Sequence, residues 1–258
     1  KYFWIAPVFF ITNIVLIKYL APDAEGHGTE KVIEAIHKRA GRIRVAVIPI
    51  KLITTLLTLF SGGSVGKEGP SAQMGGGLSS LLADILKFND EDRKKLVICG
   101  ISAGFAAIFG TPISGAVFGI EVLFVGVLLY DVLLPSFVAG ITAFYITHLM
   151  GVTRTDYHID FTAGINEFFI LKVALAGVAF GICAFLFIEV MNRTEALTNK
   201  IKIHFLLKGL IGGSIIILIG SLFGTEALGL GTSTVTGIFN GVKIVWYLFF
   251  LKIIVTSV

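Results

Sequence analysis

The chain has few charged residues and only two cysteines. Asp, Glu, Lys and Arg make up 15% of its 258 residues, whereas about 25% is usual in a soluble domain. Cys99 and Cys183 both lie inside apolar runs, so we expect neither a disulfide framework nor a metal site. This composition excludes a disordered segment and disfavours a soluble enzyme. Because the chain starts at Lys1 and stops at Val258 within an apolar run, we expect a fragment.

Apolar residues and glycine are abundant instead. Hydrophobic residues make up 55% of the chain, and 30 residues are glycine. A straight transmembrane helix needs about 20 apolar residues, and several of the runs are shorter or contain Lys18, Lys51 or Glu121. We therefore predict an all-α polytopic membrane protein with broken and tilted helices. The apolar runs are 2–20, 45–60, 96–109, 113–134, 136–150, 168–191, 206–223 and 245–258.

The charges between these runs predict the orientation in the membrane. Lys and Arg concentrate in 31–44, 87–95 and 193–208, and such residues favour the cytoplasmic side. The stretch 151–167 contains Arg154 against Asp156, Asp160 and Glu167, so we expect it to be extracellular. This asymmetry explains the net charge of +4 without a nucleic-acid partner.

The order of short motifs suggests an internal repeat. The stretch 26–32, which begins Gly-His-Gly-Thr, aligns with 229–235, which begins Gly-Leu-Gly-Thr, and 51–56 aligns with 252–257. Inverted repeats are typical of transporters, whose sites lie at the repeat interface. Chance similarity between apolar helices is the alternative.

The densest cluster of glycines lies at 61–77, where Pro70 suits the first turn of a helix. Irregular backbone at membrane depth persists only where it is buried or lines a watery cavity, and a helix N-terminus there favours an anion. Glu68 would cost about 2.5–3.5 kcal/mol to insert when ionised, and the helix returns at most about 2 kcal/mol. It is therefore poised to act as a tethered, gating anion. Alternatively, Lys67 neutralises it and it only caps its helix.

A nucleotide-binding loop is the other interpretation of this stretch. Position 61 is Ser where a phosphate loop needs Gly, and Glu68 stands where Ser or Thr would bind magnesium. The phosphate-loop interpretation therefore fails.

At these residues the chain resembles the CLC family of chloride channels and proton-coupled anion exchangers. The matching motifs are Gly66-Lys67-Glu68-Gly69-Pro70, followed by 73–76, and the small-residue stretch 100–121, which ends in Ile-Glu. The resemblance implies a homodimer in the lipid membrane with one anion pathway in each subunit and no cofactor. It makes Glu68 the gating residue and places the anion at Gly26, His27, Gly28, Gly66, Lys67 and Gly69. It also implies that a short proline-led helix at 111–121 and the run 135–150 contribute to the dimer face. Gly115 and Gly119 equally suit packing within one subunit.

The resemblance divides the chain into a first repeat at 1–150 without its beginning, an extracellular linker at 151–167 and the start of a second, inverted repeat at 168–258. The gate loop is 61–77. We expect a second glycine loop and a late tyrosine of the family to lie beyond the chain.

Two departures from the family bear on function. His27 replaces a serine that contacts the anion, so that it either donates a ring N–H or caps the helix. Glu121, a candidate for the proton pathway, is followed by Val122 where proton-coupled members often have a glutamate, and it is otherwise a structural partner for a cation or helix end. We therefore expect chloride flux gated by Glu68, dependent on voltage or pH. The alternatives are anion/proton exchange, including fluoride export, and a non-transporting scaffold, whereas an enzyme would need clustered groups that the scattered histidines do not provide.

Overall fold

The computed structural model describes residues 3–123, 129–152, 166–201 and 203–257. In these ranges every regular element is a helix, which confirms the predicted all-α class. The α-helices are α1 (Ala6–Leu20), α2 (Thr29–Lys38), α3 (Val47–Phe60), α4 (Glu68–Ile85), α5 (Asp90–Phe109), α6 (Pro112–Glu121), α7 (Tyr130–Leu149), α8 (Glu167–Lys200), α9 (Phe205–Phe223), α10 (Thr232–Phe239) and α11 (Tyr247–Ser257).

Long and short helices alternate along the chain. Within the part of the chain that the structure describes, four segments are long and apolar enough to cross a membrane, namely Phe3–Leu20, α7, α8 and α9. In contrast, α2 and α6 have 10 residues each, which span only about 15 Å. These two helices are too short to cross the apolar core of a bilayer. The 34 residues of α8 span about 51 Å, more than the apolar core of a bilayer, so α8 extends beyond that core.

Two helix boundaries differ from the apolar runs. The run 113–134 is not one helix, because α6 ends at Glu121 and α7 begins at Tyr130; residues 124–128 lie outside the described ranges. The runs on either side of Pro135 belong to the same helix, α7. Pro135 is the sixth residue of α7, so it removes one hydrogen bond near the start of the helix, and the following turns still form.

The chain forms two compact units. The α4–α7 unit comprises Ile11–Leu59 and Val65–Arg154, and the α8–α11 unit comprises Lys1–Phe10, Phe60–Ser64 and Thr155–Val258. Most of the predicted linker, 153–165, lies outside the described residues.

Glycines bring α4 and α5 together in the α4–α7 unit. A Cβ on Gly104 would lie 2.5 Å from the carbonyl oxygen of Ser71, and a Cβ on Gly75 would collide with the carbonyl oxygen of Gly100. The two helices therefore meet backbone to backbone, as close packing in lipid requires.

Gly115 and Gly119 also pack inside this unit. A Cβ on Gly115 would lie 2.8 Å from Ala106 Cβ, and a Cβ on Gly119 would lie 3.1 Å from the carbonyl oxygen of Ile98. Both neighbours belong to α5. Of the two roles that the sequence left open for these glycines, packing within one subunit is the one observed.

The α8–α11 unit has its own core. Its buried apolar residues come from the N-terminal segment and α9 to α11 (Phe3, Ala6, Ile216, Ile219, Ala227, Leu248 and Val255). Gly213 of α9 touches this segment, since a Cβ there would lie 2.8 Å from the carbonyl carbon of Ala6. No residue of α8 is buried, so its apolar surface suits contact with lipid.

Each unit contains the same lysine arrangement. Lys51 Nζ donates to the carbonyl oxygens of Ala24 at 2.9 Å and Gly26 at 2.6 Å. Lys252 Nζ donates to Ala227 at 3.1 Å and also to Gly229. These are positions that the sequence repeat pairs, and in both units a glycine with positive φ then caps a helix, α2 or α10. The correspondence supports the predicted repeat over chance similarity.

Candidate functional site

The loop before α2 presents the first predicted binding residues. Gly26 has φ +79° and Gly28 has φ +97°, a region that L side chains rarely adopt. Gly28 is the N-cap of α2 and receives no side-chain cap. His27 is exposed between them. The suggestion that His27 caps the helix is therefore wrong, because the capping position belongs to the next residue.

The second group of predicted residues lies at the start of α4. Irregular backbone occupies only 61–67, and α4 begins at Glu68 with Lys67 as its N-cap. Residues 68–77 of the predicted loop are thus helical. Ser71 Oγ donates to the Glu68 carbonyl oxygen at 2.8 Å, and Pro70 is buried, which together fix the first turn.

The N-termini of α2 and α4 meet at glycine. A Cβ on Gly28 would lie 2.8 Å from the carbonyl oxygen of Gly69, and a Cβ on Gly69 would collide with the carbonyl oxygen of His27. Side chains at either position would push the two helix starts apart. We call this contact the glycine junction. It brings together five of the predicted residues, namely Gly26, His27, Gly28, Glu68 and Gly69. The two remaining ones, Gly66 and Lys67, directly precede Glu68 in the chain.

The Glu68 side chain folds back over the loop that precedes it. Its Oε2 occupies the place of a Cβ on Gly66, and the residue is half-buried. Within the described ranges no ion pair joins Glu68 to Lys67. The side chains therefore do not show the neutralisation of Glu68 by Lys67 that the alternative interpretation requires. The carboxylate lies beside its own helix N-terminus without a protein cation.

The backbone donors at the junction are available. The first N–H groups of α2 and α4 have no acceptor within their helices. No described residue accepts the N–H of Gly26, His27 or Gly28. Two helix N-termini also contribute partial positive charge. A small anion fits such an arrangement chemically, and so does a carboxylate.

Sequence reasoning missed the two residues whose side chains bind the carbonyl groups of the loop before α2. Lys51, in an apolar run, is only 5% exposed and binds the carbonyl oxygens of Ala24 and Gly26. Gln73 is 1% exposed and donates through Nε2 to the Asp23 carbonyl oxygen at 2.8 Å. A charged residue inside an apolar run is a signal of function in membranes, and Lys51 carried that signal.

Glu121 lies far from the junction residues in the sequence. It is the last residue of α6, and its side chain is exposed. No cation pairs with it among the described residues. The C-terminus of a helix also disfavours a carboxylate, so the structural role expected for Glu121 as a partner for a cation or helix end is not observed.

The beginning of the predicted gate loop is bound within the α8–α11 unit. Gly229 N donates to the Gly62 carbonyl oxygen at 2.9 Å, and the hydroxyls of Ser64 and Thr256 lie 2.7 Å apart. Since Thr256 Oγ1 donates to the Lys252 carbonyl oxygen, Ser64 is the donor of this pair.

The described His, Cys, Asp and Glu side chains form no group of three or more that could hold a metal ion.

Comparison with known proteins places these features in a family. Residues 8–258 match the model of the family described as "Voltage gated chloride channel". The "Chloride/fluoride channel protein" of Pseudomonas syringae pv. tomato is 34% identical over 213 residues, which cover 83% of this chain and 47% of that protein. The "H(+)/Cl(-) exchange transporter ClcA" of Vibrio cholerae is 28% identical, covering 92% of this chain and 53% of the relative.

The fold is similar to that of solved members of the same family. A solved "CLC-type fluoride/proton antiporter" superposes with a TM-score of 0.92 at 24% identity, covering 99% of this chain and 65% of that one. The chain thus spans about half the length of the curated relatives it matches.

Proposed function

Since the chain belongs to the CLC family of voltage-gated chloride channels and is an integral membrane protein, we propose that the protein carries chloride or another small anion across the membrane, through a pathway gated by Glu68. The observation that carries this proposal is the glycine junction, where two helix N-termini and a carboxylate without a cation partner come together. The relatives are named as channels and transporters, which supports transport rather than catalysis.

In this proposal the backbone binds the anion. The N–H groups of Gly26 to Gly28 and of Gly66 to Gly69 provide donors, and His27, being exposed, adds a ring N–H from the side. Lys67 contributes positive charge before α4. When ionised, Glu68 competes with the free anion for the helix N-terminus; when protonated, it loses that attraction and leaves the site open.

Assembly and domain organisation belong to the same proposal. The family resemblance supports a homodimer in lipid, with a first repeat at 1–150, an extracellular linker at 151–167 and a second repeat from 168. Exposed apolar residues on α7, including Leu134, Val138 and Tyr145, provide a surface for such a contact. No nucleic acid or cofactor is part of the proposal.

Anion/proton exchange is the second candidate, and the names of the relatives favour it. The Vibrio protein is named as an H(+)/Cl(-) exchanger, and the superposed structure is titled a fluoride/proton antiporter. Val122 after Glu121 disfavours the usual inner proton route. If exchange occurs, the exposed Glu121 carboxylate is the group that we propose for the proton pathway.

Flux into liposomes tests the gating role. We expect Glu68→Gln to remove the acid activation of chloride flux in the full-length protein, because the glutamine cannot ionise. Glu91→Gln is the matched control, since Glu91 is an exposed first-turn glutamate of α5. Unchanged pH dependence in Glu68→Gln would refute the gate assignment.

The reversal potential separates the two candidates. With equal chloride and a proton gradient across the membrane, a channel shows no shift, whereas an exchanger shifts toward the proton equilibrium. Repeating the measurement with Glu121→Gln shows whether that carboxylate carries the proton.

A further inference from the structure

We propose that Lys51 is a positioning residue of the anion site, a role that rests on the proposed function. Lys51 is buried and binds the loop before α2 through the carbonyl oxygens of Ala24 and Gly26 at 2.9 and 2.6 Å. Its ammonium is a strong donor with three hydrogens. The residue thereby holds the carbonyl ends of the peptides toward the protein interior.

Three further carbonyl groups at the start of this loop also have partners. Gln73 binds the Asp23 carbonyl oxygen, and the backbone N–H groups of Ala24 and Glu25 bind those of Ala21 and Pro22. A carbonyl oxygen that faces an anion repels it, whereas an N–H group attracts it. The carbonyl and the N–H of one planar trans peptide point in opposite directions, so binding the Gly26 carbonyl oxygen to Lys51 leaves the His27 N–H on the other side.

Glycine makes this restraint necessary. Gly26 lacks a Cβ atom, is exposed and adopts φ +79°, so its peptides rotate at little steric cost. A Cβ on Gly26 would meet nothing within 4 Å, and no packing therefore holds that residue. The hydrogen bonds of Lys51 and Gln73 are what set the direction of the loop.

Lys252 supplies an internal comparison. It binds Ala227 and Gly229 in the same manner, yet the N–H of Gly229 already donates to the Gly62 carbonyl oxygen at 2.9 Å. The same pair of lysine hydrogen bonds therefore supports a protein contact in the α8–α11 unit. In the α4–α7 unit it leaves the N–H groups of Gly26 to Gly28 without a protein acceptor among the described residues. This difference assigns anion positioning to Lys51 and not to Lys252.

Chloride and nitrate titrations of the purified full-length protein test this role. We expect Lys51→Met to weaken chloride binding about tenfold, the scale of one lost charge-assisted hydrogen bond, and to change the ratio of chloride to nitrate affinity. The ratio changes because the loop alters its shape, and the two anions differ in shape. Lys252→Met, the matched control, should lower thermal stability but preserve both affinities.

Gln73→Leu provides a second variant that removes no charge. We expect it to change the chloride-to-nitrate ratio in the same direction as Lys51→Met. An unchanged ratio in either variant overturns the proposal, because a pure charge effect would weaken both monovalent anions equally. Equal losses in Lys51→Met and Lys252→Met would also overturn it. If the unmodified protein bound neither anion, the proposed function itself would fail.

Discussion

Replacing Gly28 by alanine tests whether the glycine junction is required. The change has two separable costs. A non-glycine residue at φ +97° and ψ −45° costs about 1–3 kcal/mol. The new Cβ would also lie 2.8 Å from the Gly69 carbonyl oxygen and 3.0 Å from Gln73 Oε1, and such overpacking costs about 1–3 kcal/mol. The expected loss of stability is therefore about 2–6 kcal/mol.

Gly26→Ala is the matched control. Its φ of +79° also strains a non-glycine residue, but its Cβ would meet nothing within 4 Å. The difference between the variants includes the contact of α2 with α4, about 1–3 kcal/mol. At about 2–4 °C per kcal/mol for a chain of this size, Gly28→Ala should unfold about 2–12 °C below Gly26→Ala.

Thermal unfolding in detergent and chloride titration provide the two assays. Because the helix starts separate, we expect Gly28→Ala to bind chloride more weakly than Gly26→Ala, in which the starts of α2 and α4 stay in contact. Equal unfolding midpoints and equal chloride affinities in the two variants would refute the reasoning.

Two further predictions concern stability, measured as thermal midpoints in detergent. Thr256→Val leaves the Ser64 hydroxyl without its acceptor and should cost about 1–3 kcal/mol. Its control, Thr236→Val, loses only a hydrogen bond within its own helix and should be close to neutral. Equal effects would contradict the hydrogen bond between Ser64 and Thr256. Gly115→Ala should cost about 1–3 kcal/mol of stability, because its Cβ overlaps with α5. Its control, Gly177→Ala, has open space around the new Cβ and should not destabilise the protein. A Gly115→Ala variant as stable as the unmodified protein would contradict the packing described.

Local signals predicted the helix starts well. Pro70 stands in the first turn of the helix that the sequence indicated, α4, because proline suits a position whose N–H has no partner. Pro112 likewise begins the short helix that the family resemblance implied, α6. Glu68 also falls where expected, at the first residue of α4. These features depend only on neighbours in the chain, which a sequence displays directly.

Contacts between distant residues were not predictable in the same way. The ammonium of Lys51 reaches carbonyl groups 25 and 27 residues earlier, and the repeat indicated its correspondence with Lys252 but not its partners. The spacing of Gly115 and Gly119 indicated close packing, yet only the fold shows that α5 is the neighbour. Such pairings depend on topology and packing, which hydrophobic periodicity does not specify.

The central claim is that an anion binds at the glycine junction and that Glu68 competes for the same place. Anomalous scattering from bromide in crystals of the full-length protein with Glu68→Gln tests it most directly. We predict a bromide peak within hydrogen-bonding distance of the backbone N–H groups at Gly26 to Gly28 or Gly66 to Gly69, stronger than in the unmodified protein. Bromide bound elsewhere, with no peak at the junction in either protein, would contradict the claim.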